Sequence, residues 1–442
     1  MEIFNRTKSF CPVCKRIVET DIAERSGSVF MEKKCPEHGN FEIKIAKHAW
    51  YYRGLHDYYD KLYNDNNKKI GQPKIFVLTV NSKCNVQCPI CSTAGVGRKN
   101  DVSLNVIKNQ LKKIKNKGII VQLMGGEPTL REDLPEIINL ISKSGNLASI
   151  NTNGIRIAQD INYLDVLKSK GIRNVITWID TVKNPKIYRK MRGKDFIDLK
   201  QSLFRNLEKL DIVTRVIHVI VGGLNEREIG DCLNFLRKKE FVSLYWVRGY
   251  NYLGRCGFSP KQEFLSDELA ESAAKNSKDL FSLEDLFIWQ KIYITISALK
   301  GRKDWCYRVP WILVPRNNEK SLRETFAFKD FPRVFEEFEK IWLKDRRKAK
   351  NYFFSKYLSL LLKNHPLTKF FKKADASKFG IQNFTSKHYM QVAINNCANV
   401  LNYDFKMIKQ QCINYSLDPG SEKNISRCYA LNKFYSPKFR KK

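Results

Sequence analysis

The sequence predicts an α/β fold: a partial (β/α)6 barrel of parallel strands, an N-terminal metal-binding ribbon before it and a mainly helical C-terminal region after it. Three observations predict this. Short apolar runs alternate with amphipathic segments from residue 75 to about 260. Two turns bearing cysteine and histidine stand in the first forty residues. Beyond about residue 260 the pattern is mainly helical. The expected boundaries are 1–50 for the ribbon, 51–74 for a helical linker, 75–260 for the barrel and 261–442 for the C-terminal region.

The ribbon rests on Cys11-Pro-Val-Cys14 and Cys35-Pro-Glu-His38, two ligand pairs separated by 20 residues. Each pair sits beside a proline at an expected turn, and SGSVFMEKK between them reads as a hairpin. Two knuckles that bring four ligands together make a tetrahedral site, and thiolate with imidazole suits Zn²⁺ or Fe. Four protein ligands close the coordination sphere, so Cys11, Cys14, Cys35 and His38 are expected to play a structural role. Residues 51–74 read as a polar, aromatic helix running into a linker.

Six strand candidates follow: IFVLTV, IIVQLMG, LASINT, VITWID, TRVIHVIV and SLYWVRGY. Helix candidates such as LNVIKNQLKKI, LPEIINLISK and LKQSLFRNLEKL separate them. Strands alternating with helices of this length imply a parallel sheet, here curving toward a partial barrel. Cys232 reads as a core residue of its helix, and His218, alternating with apolar residues, as a satisfied structural histidine.

Lys and Arg number 79 against 45 Asp and Glu, a net charge of +34. That balance favours an anionic partner: nucleic acid, phospholipid headgroups or an acidic protein. A coding bias toward Lys and Asn is the bland explanation. Residues 344–373 carry ten basic residues and one acidic, with Tyr352, Phe353, Tyr357, Leu360 and Leu361 placed to share a helical face. Such a helix can lie on an anionic membrane surface, or pack on the barrel with its lysines solvated. No run of about 18 apolar residues and no apolar leader is present, so a cytoplasmic protein is expected, at most peripheral to a membrane. Disulfides are rare in that compartment, so twelve cysteines point to metal or redox chemistry.

Cys84-Asn-Val-Gln-Cys88-Pro-Ile-Cys91 follows directly on the first strand candidate. Three thiolates this close can hold three irons of a cubane cluster and leave the fourth iron open to a small molecule. In a parallel barrel the loops after the strands gather at the C-terminal face, where active sites form. These residues resemble the radical S-adenosylmethionine (SAM) enzymes, whose C-x-x-x-C-x-x-C hallmark occupies this loop. Further landmarks come in the family's order: Gly125-Gly126-Glu127-Pro128 after strand two, Asn151-Thr152-Asn153-Gly154 after strand three, Asp180 and then Tyr188-Arg189 after strand four, and Gly222 to Glu226 after strand five. The resemblance spans about residues 75–260.

The resemblance implies a SAM-binding [4Fe–4S] cluster on Cys84, Cys88 and Cys91. It implies that Gly125, Gly126, Glu127 and Pro128 bind the SAM amino group, that Asn153 and Asp180 belong to the same site, that Arg189 meets the SAM carboxylate, and that Gly222 and Glu226 lie near adenine. The implied reaction is one-electron cleavage of SAM to a 5′-deoxyadenosyl radical that takes hydrogen from an unactivated C–H bond. The implied electron donor is a flavodoxin or ferredoxin-type protein. Ile90, where most members carry an aromatic residue, and Trp178, where relatives often carry a small polar one, depart from the pattern.

The ribbon joined to this core, the text INTNGIRIA, and Cys412 and Cys428 around a Pro-Gly turn are similar to the branch of archaeal tetraether lipid synthase and pterin-methyltransferase-like radical SAM proteins. Those relatives usually carry an extra cysteine-rich block where residues 51–74 have none, so fewer clusters are expected here. Cys306, Cys397, Cys412 and Cys428 can supply the ligands of one auxiliary [4Fe–4S] cluster, with Cys256 as a competing ligand. The resulting expectation is a radical SAM enzyme acting on sp³ carbon of an anionic substrate, a membrane phospholipid in the leading form. Modification of a pterin, RNA or peptide is the alternative, and a non-catalytic iron–sulfur and zinc scaffold for nucleic acid is the alternative of another class. No recognised RNA-binding signature is present.

Overall fold

The structure is a computed structural model that describes residues 2–63, 75–92, 101–299, 301, 309–316, 331–362, 385–396, 401–405, 414–417 and 424–426. Four antiparallel strands open the chain: β1 (Glu2–Phe10), β2 (Ile17–Arg25), β3 (Ser28–Cys35) and β4 (Gly39–Ala46), paired in that order. Ser26 (φ 48°) and Gly27 (φ 72°) make the tight turn between β2 and β3, and both take the left-handed conformation that matches the strands' twist. Alternation buries Ile22, Val29, Met31 and Ile45 in a small core that Tyr52 completes.

Tyr52 belongs to helix α1 (Ala49–Tyr63). This helix packs into the main core through Tyr51, Leu55, Tyr58, Tyr59 and Leu62. The Tyr58 hydroxyl lies 2.5 Å from Thr295 Oγ1 on helix α10 (Leu283–Leu299). A second set of contacts ties the ribbon to the C-terminal region: the His48 N–H donates to Asp267 at 2.6 Å, and Thr7 Oγ1 donates to Asp404 at 2.7 Å.

Six strands then alternate with helices: β5 (Ile75–Asn81), β6 (Ile120–Gly125), β7 (Leu147–Asn151), β8 (Ile172–Trp178), β9 (Val213–Ile220) and β10 (Val242–Gly249). They lie side by side in sequence order, each parallel to the next. The helices between them include α2 (Leu104–Lys113), α3 (Leu134–Lys143), α4 (Ile155–Gln159), α5 (Ile161–Ser169), α6 (Pro185–Arg192), α7 (Ile197–Lys209) and α8 (Glu228–Arg237). One face of each strand meets this helical layer: Leu78, Leu123, Ile150, Val175, Val216 and Val247 are buried there. This is the α/β class with a parallel half-barrel that the sequence predicts.

The C-terminal region has the expected helices, α9 (Ser266–Lys275), α10, α11 (Phe331–Lys344) and α12 (Arg346–Leu362). It also adds strands that sequence reading does not anticipate: β11 (Trp311–Pro315), β12 (Tyr389–Asn395), β13 (Asn414–Leu417) and β14 (Asn424–Ser426). β12 runs parallel beside β10 and β11 antiparallel beside β12, while β13 joins β5 at the other edge. The half-barrel thus has both its edges covered by the C-terminal segment, which prevents open-edge pairing there. Among the described residues no helix is long and apolar enough to cross a membrane.

Candidate metal centre and barrel site

The ribbon's ligand atoms converge as the spacing predicts. Cys11 and Cys35 are buried, and the ligand atoms of Cys11, Cys14, Cys35 and His38 all lie within 4.8 Å of one another. Each knuckle reverses on a left-handed residue just after its second ligand, Lys15 (φ 59°) and Gly39 (φ 72°). Burial raises the Cys35 thiol, but hydrogen bonds from His38 and the nearby backbone outweigh it and bring the pKa to about 6. Lys33 is wholly buried behind this centre, donates to the Phe10 carbonyl at 3.0 Å, and is pushed down to about 7 by burial.

The predicted barrel motifs all fall at the carboxyl ends of β5–β9. Cys84 is exposed and Cys88 and Cys91 are partly so. Their loop is clamped from two sides by backbone. On one side, the N–H of Gly126 donates to Asn81 at 3.0 Å and that of Glu127 to Lys83 at 2.7 Å. On the other, the N–H groups of Arg255 and Gly257 donate at 3.0 Å to Cys91 and Pro89. Only glycine fits the first clamp: a Cβ on Gly126 would lie 2.1 Å from the Lys83 carbonyl oxygen. Gly126→Ala is therefore expected to push the cysteine loop outward and lower iron incorporation at the triad, checked by iron content after anaerobic reconstitution.

Glu127 is 1% exposed, and its carboxylate is already engaged. Oε1 accepts from Thr129 N–H (3.0 Å), Thr129 Oγ1 (2.7 Å) and Thr152 Oγ1 (2.6 Å); Oε2 accepts from Asn153 N–H (2.7 Å). It laces the turn after β6 to the end of β7. Asn153 in turn donates to Asn85, inside the cysteine loop, at 2.7 Å.

Asp180 is fully buried and forms a paired bond with Arg192, at 2.6 and 2.8 Å. Arg192 also donates to the Cys88 sulfur. Burial pushes the Cys88 thiol up, and Arg192 opposes that shift. The Arg192 guanidinium carbon stands 4.1 Å from the centre of the Trp178 ring, and Lys200 Nζ stands 3.5 Å from it. Lys200 is 3% exposed, donates to the Asn153 carbonyl and Thr177 Oγ1 at 3.0 Å each, and is held well below the usual lysine range, by burial first and by Arg192 second. Arg189, by contrast, is exposed and pairs with Asp195 at 3.7 Å. Sequence reading names Arg189 and misses Arg192 and Lys200. The missed signal is helical spacing: Arg192 follows the buried Tyr188 by four residues, and Lys200 shares a face with Leu203, Phe204 and Leu207.

The Gly223 N–H donates to Glu226 at 2.8 Å, while the other Glu226 oxygen is buried with no partner among the described residues. Gly222 and Glu226 border a cleft of about 430 Å³ that Lys47, Lys261 and α9 complete. Ile90, in place of an aromatic residue, packs with Ile187, Met191, Val221 and Tyr250. His218 is buried and satisfied, 2.7 Å from the Tyr245 hydroxyl and 3.1 Å from Asn225, and burial brings its pKa to about 4. Cys232 is a buried residue of α8. Cys256 sits with φ 51° on the segment that clamps the triad. Cys306, Cys397, Cys412 and Cys428, the expected auxiliary ligands, lie outside the described residues.

Comparison with known proteins agrees with this layout. Residues 78–236 match the model of the radical SAM superfamily, and residues 3–47 match the HMPTM N-terminal zinc ribbon domain. The chain is 30% identical over 270 residues to the 7,8-dihydro-6-hydroxymethylpterin dimethyltransferase of Methanocaldococcus jannaschii, covering 56% of this chain and 52% of that protein. It is 29% identical over 169 residues to the probable GTP 3′,8-cyclase of Methanothermobacter thermautotrophicus, covering 37% and 54%. It is 29% identical over 180 residues to the GTP 3′,8-cyclase of Aquifex aeolicus, covering 38% and 55%. The chain thus spans about half the length of the relatives it matches.

A radical SAM domain implies a [4Fe–4S] cluster and SAM, and the ribbon implies Zn²⁺ or Fe. The residues present fit both groups. The triad's thiols lie on one loop, Cys84 exposed and Cys88 and Cys91 partly so, and each would bind a different iron, so they need not converge as ligands of one ion must. The ribbon's four ligand atoms do converge. The chain carries a radical SAM domain behind an N-terminal zinc ribbon of the HMPTM type.

Proposed function

We propose that the chain is a radical SAM enzyme that modifies carbon in a small heterocyclic substrate, with methylation of a pterin as the nearest model. The observation that carries this reading is the cysteine triad, Cys84 exposed and its two partners half-buried, pinned by backbone from the turns after β6 and β10 at the mouth of a half-barrel. The ribbon match and the named activity of the 30% identical relative support the heterocycle. When bound, the cluster and SAM supply a one-electron cleavage that yields a hydrogen-abstracting 5′-deoxyadenosyl radical. The chain's own residues then do the rest. Cys84, Cys88 and Cys91 would hold three irons, and the turn at Gly125, Gly126 and Pro128 would offer its backbone to the SAM amino group. Glu127 and Asn153 hold that turn against the cysteine loop. Arg192 on Asp180 steadies Cys88, the exposed Arg189 would exchange its Asp195 partner for the SAM carboxylate, and the cleft at Gly222 and Glu226 is the candidate for adenine. A flavodoxin or ferredoxin-type donor supplies the electron.

Carbon–carbon bond formation on a membrane lipid is the second reading. The exposed Arg347, Lys348 and Lys350 of α12 favour it. Against it, Phe353 of the same helix is buried against Phe338 of α11, so that apolar side chain is not available to a bilayer. The test supplies reconstituted protein, SAM and dithionite with 7,8-dihydro-6-hydroxymethylpterin, with its phosphate ester, or with a lipid extract. A pterin-dependent rise in 5′-deoxyadenosine with a mass gain on the pterin is expected. A rise with lipid alone would transfer the reading to the second form, and no 5′-deoxyadenosine from cluster-loaded protein would overturn both.

A further inference from the structure

The concave face of the half-barrel is open at its carboxyl end. Thr79 on β5 is exposed there, and Gln122, Asn151, Ile217 and Trp246 are partly exposed, whereas the opposite faces of the same strands are buried under helices. Ile217 and Trp246 are register partners on β9 and β10. Two residues below Ile217 on the same face stands Arg215, paired in register with Ile176 and Leu244 and 1% exposed.

Arg215 has neutral partners only. Nε donates to Asn174 Oδ1 at 3.0 Å, and Nη2 donates to Ser149 Oγ at 3.3 Å. The Ser149 hydroxyl donates its own hydrogen bond to the same Asn174 oxygen, at 3.1 Å. The acceptors are thereby used, and donors are left over: Nη1 has no acceptor among the described residues, and the buried Asn174 Nδ2 has no partner. No carboxylate acts on the guanidinium; burial alone brings its pKa to about 10, so it stays charged at neutral pH. A buried cation with surplus donors and no counter-charge is unfavourable unless something supplies one. Every other buried arginine with a comparable setting either has a carboxylate, as Arg192 has Asp180 and Arg131 has Asp133, or is wrapped in backbone carbonyls, as Arg316 is.

We propose that Arg215 and the Asn174 amide form the floor of the substrate site and receive an anionic oxygen of the substrate. The floor selects among substrates of the half-barrel, so it rests on the proposed function for the substrate's place of entry. An anionic oxygen can be a phosphate or a carboxylate, and both fit the same donors. A hydroxymethylpterin is uncharged at neutral pH, so the floor favours its phosphate ester over the bare alcohol. A hydrocarbon chain inserted to this depth would leave the charge unpaired.

The experiment uses the full chain, reconstituted anaerobically, with small molecules from the source cells separated by anion exchange into acidic and neutral fractions. Formation of 5′-deoxyadenosine above the substrate-free rate is measured against the amount of each fraction. The stimulating compound is expected in the acidic fraction, and loss of stimulation after phosphatase treatment would identify its anionic group as phosphate rather than carboxylate. Arg215→Gln is expected to raise the half-saturating amount about 10- to 100-fold while the substrate-free cleavage rate stays at the wild-type level. If Arg215→Gln loses substrate-free cleavage, Arg215→Lys is read by the same criterion, because it keeps the charge and loses the fork. Stimulation by the neutral fraction alone, or an unchanged half-saturating amount in the variant that still cleaves SAM, would overturn the floor. Absence of 5′-deoxyadenosine from wild-type protein would instead overturn the proposed function on which it rests.

Discussion

Cys88→Ala is expected to reduce SAM cleavage to the background rate while leaving the ribbon's metal in place. Cys88 is the triad member at the centre of the network: it receives Arg192, and its loop is clamped by the segment after β10. Losing it removes one iron's protein ligand and the acceptor of a buried guanidinium. The ribbon centre is built from β1 to β4 and shares no ligand with the triad, so its metal content should not change. Iron and zinc analysis of the variant, alongside 5′-deoxyadenosine formation, checks both halves. Retained cleavage would sink the assignment of the triad.

Arg192→Met is expected to have the largest effect on stability. It leaves Asp180, fully buried, without its cation. Breaking a buried pair from one side costs about 3–5 kcal/mol, because the remaining charge stays unpaired. The Met side chain also replaces the guanidinium over Trp178, where a cation at 4.1 Å packs on the ring face. A lowered Tm of the metal-free barrel and poorer cluster loading should appear together. The double variant Asp180→Leu with Arg192→Met removes both charges, and should recover much of the Tm without recovering loading. Equal Tm values for the single variant and wild type would show that the pair contributes little.

Much of the half-barrel was legible because its strands are buried on one face by helices and read as apolar runs. β5 to β10 begin and end within a few residues of the runs chosen from sequence. β11 to β14 were not legible, since they are short and find partners far away in sequence: β12 meets β10, and β13 meets β5. The apolar stretches of β11 and β12, each buried along its whole length, carried a local signal.

The site divides in the same way. Motif spacing locates the three thiols and the glycine turn, because those depend on chain-local geometry. It does not tell whether a buried acid meets a ligand or its own protein. Glu127 shows this, with four protein donors on its carboxylate. Nor does it say which of two nearby arginines turns inward. Arg189 and Arg192 are three apart on α6, and only the four-residue step from Tyr188 separates the inner from the outer one. Arg215 carried no motif at all, and its setting depends on Ser149 and Asn174 arriving from two other strands.

The central claim is that the loop after β5 carries a [4Fe–4S] cluster with an iron open to SAM. Its most direct test is electron paramagnetic resonance of the dithionite-reduced, anaerobically reconstituted protein, with and without SAM. The account predicts a reduced-cluster signal that changes on adding SAM, and no SAM-responsive signal in Cys88→Ala. A wild-type signal that SAM leaves unchanged, or a SAM response that survives in Cys88→Ala, would contradict it.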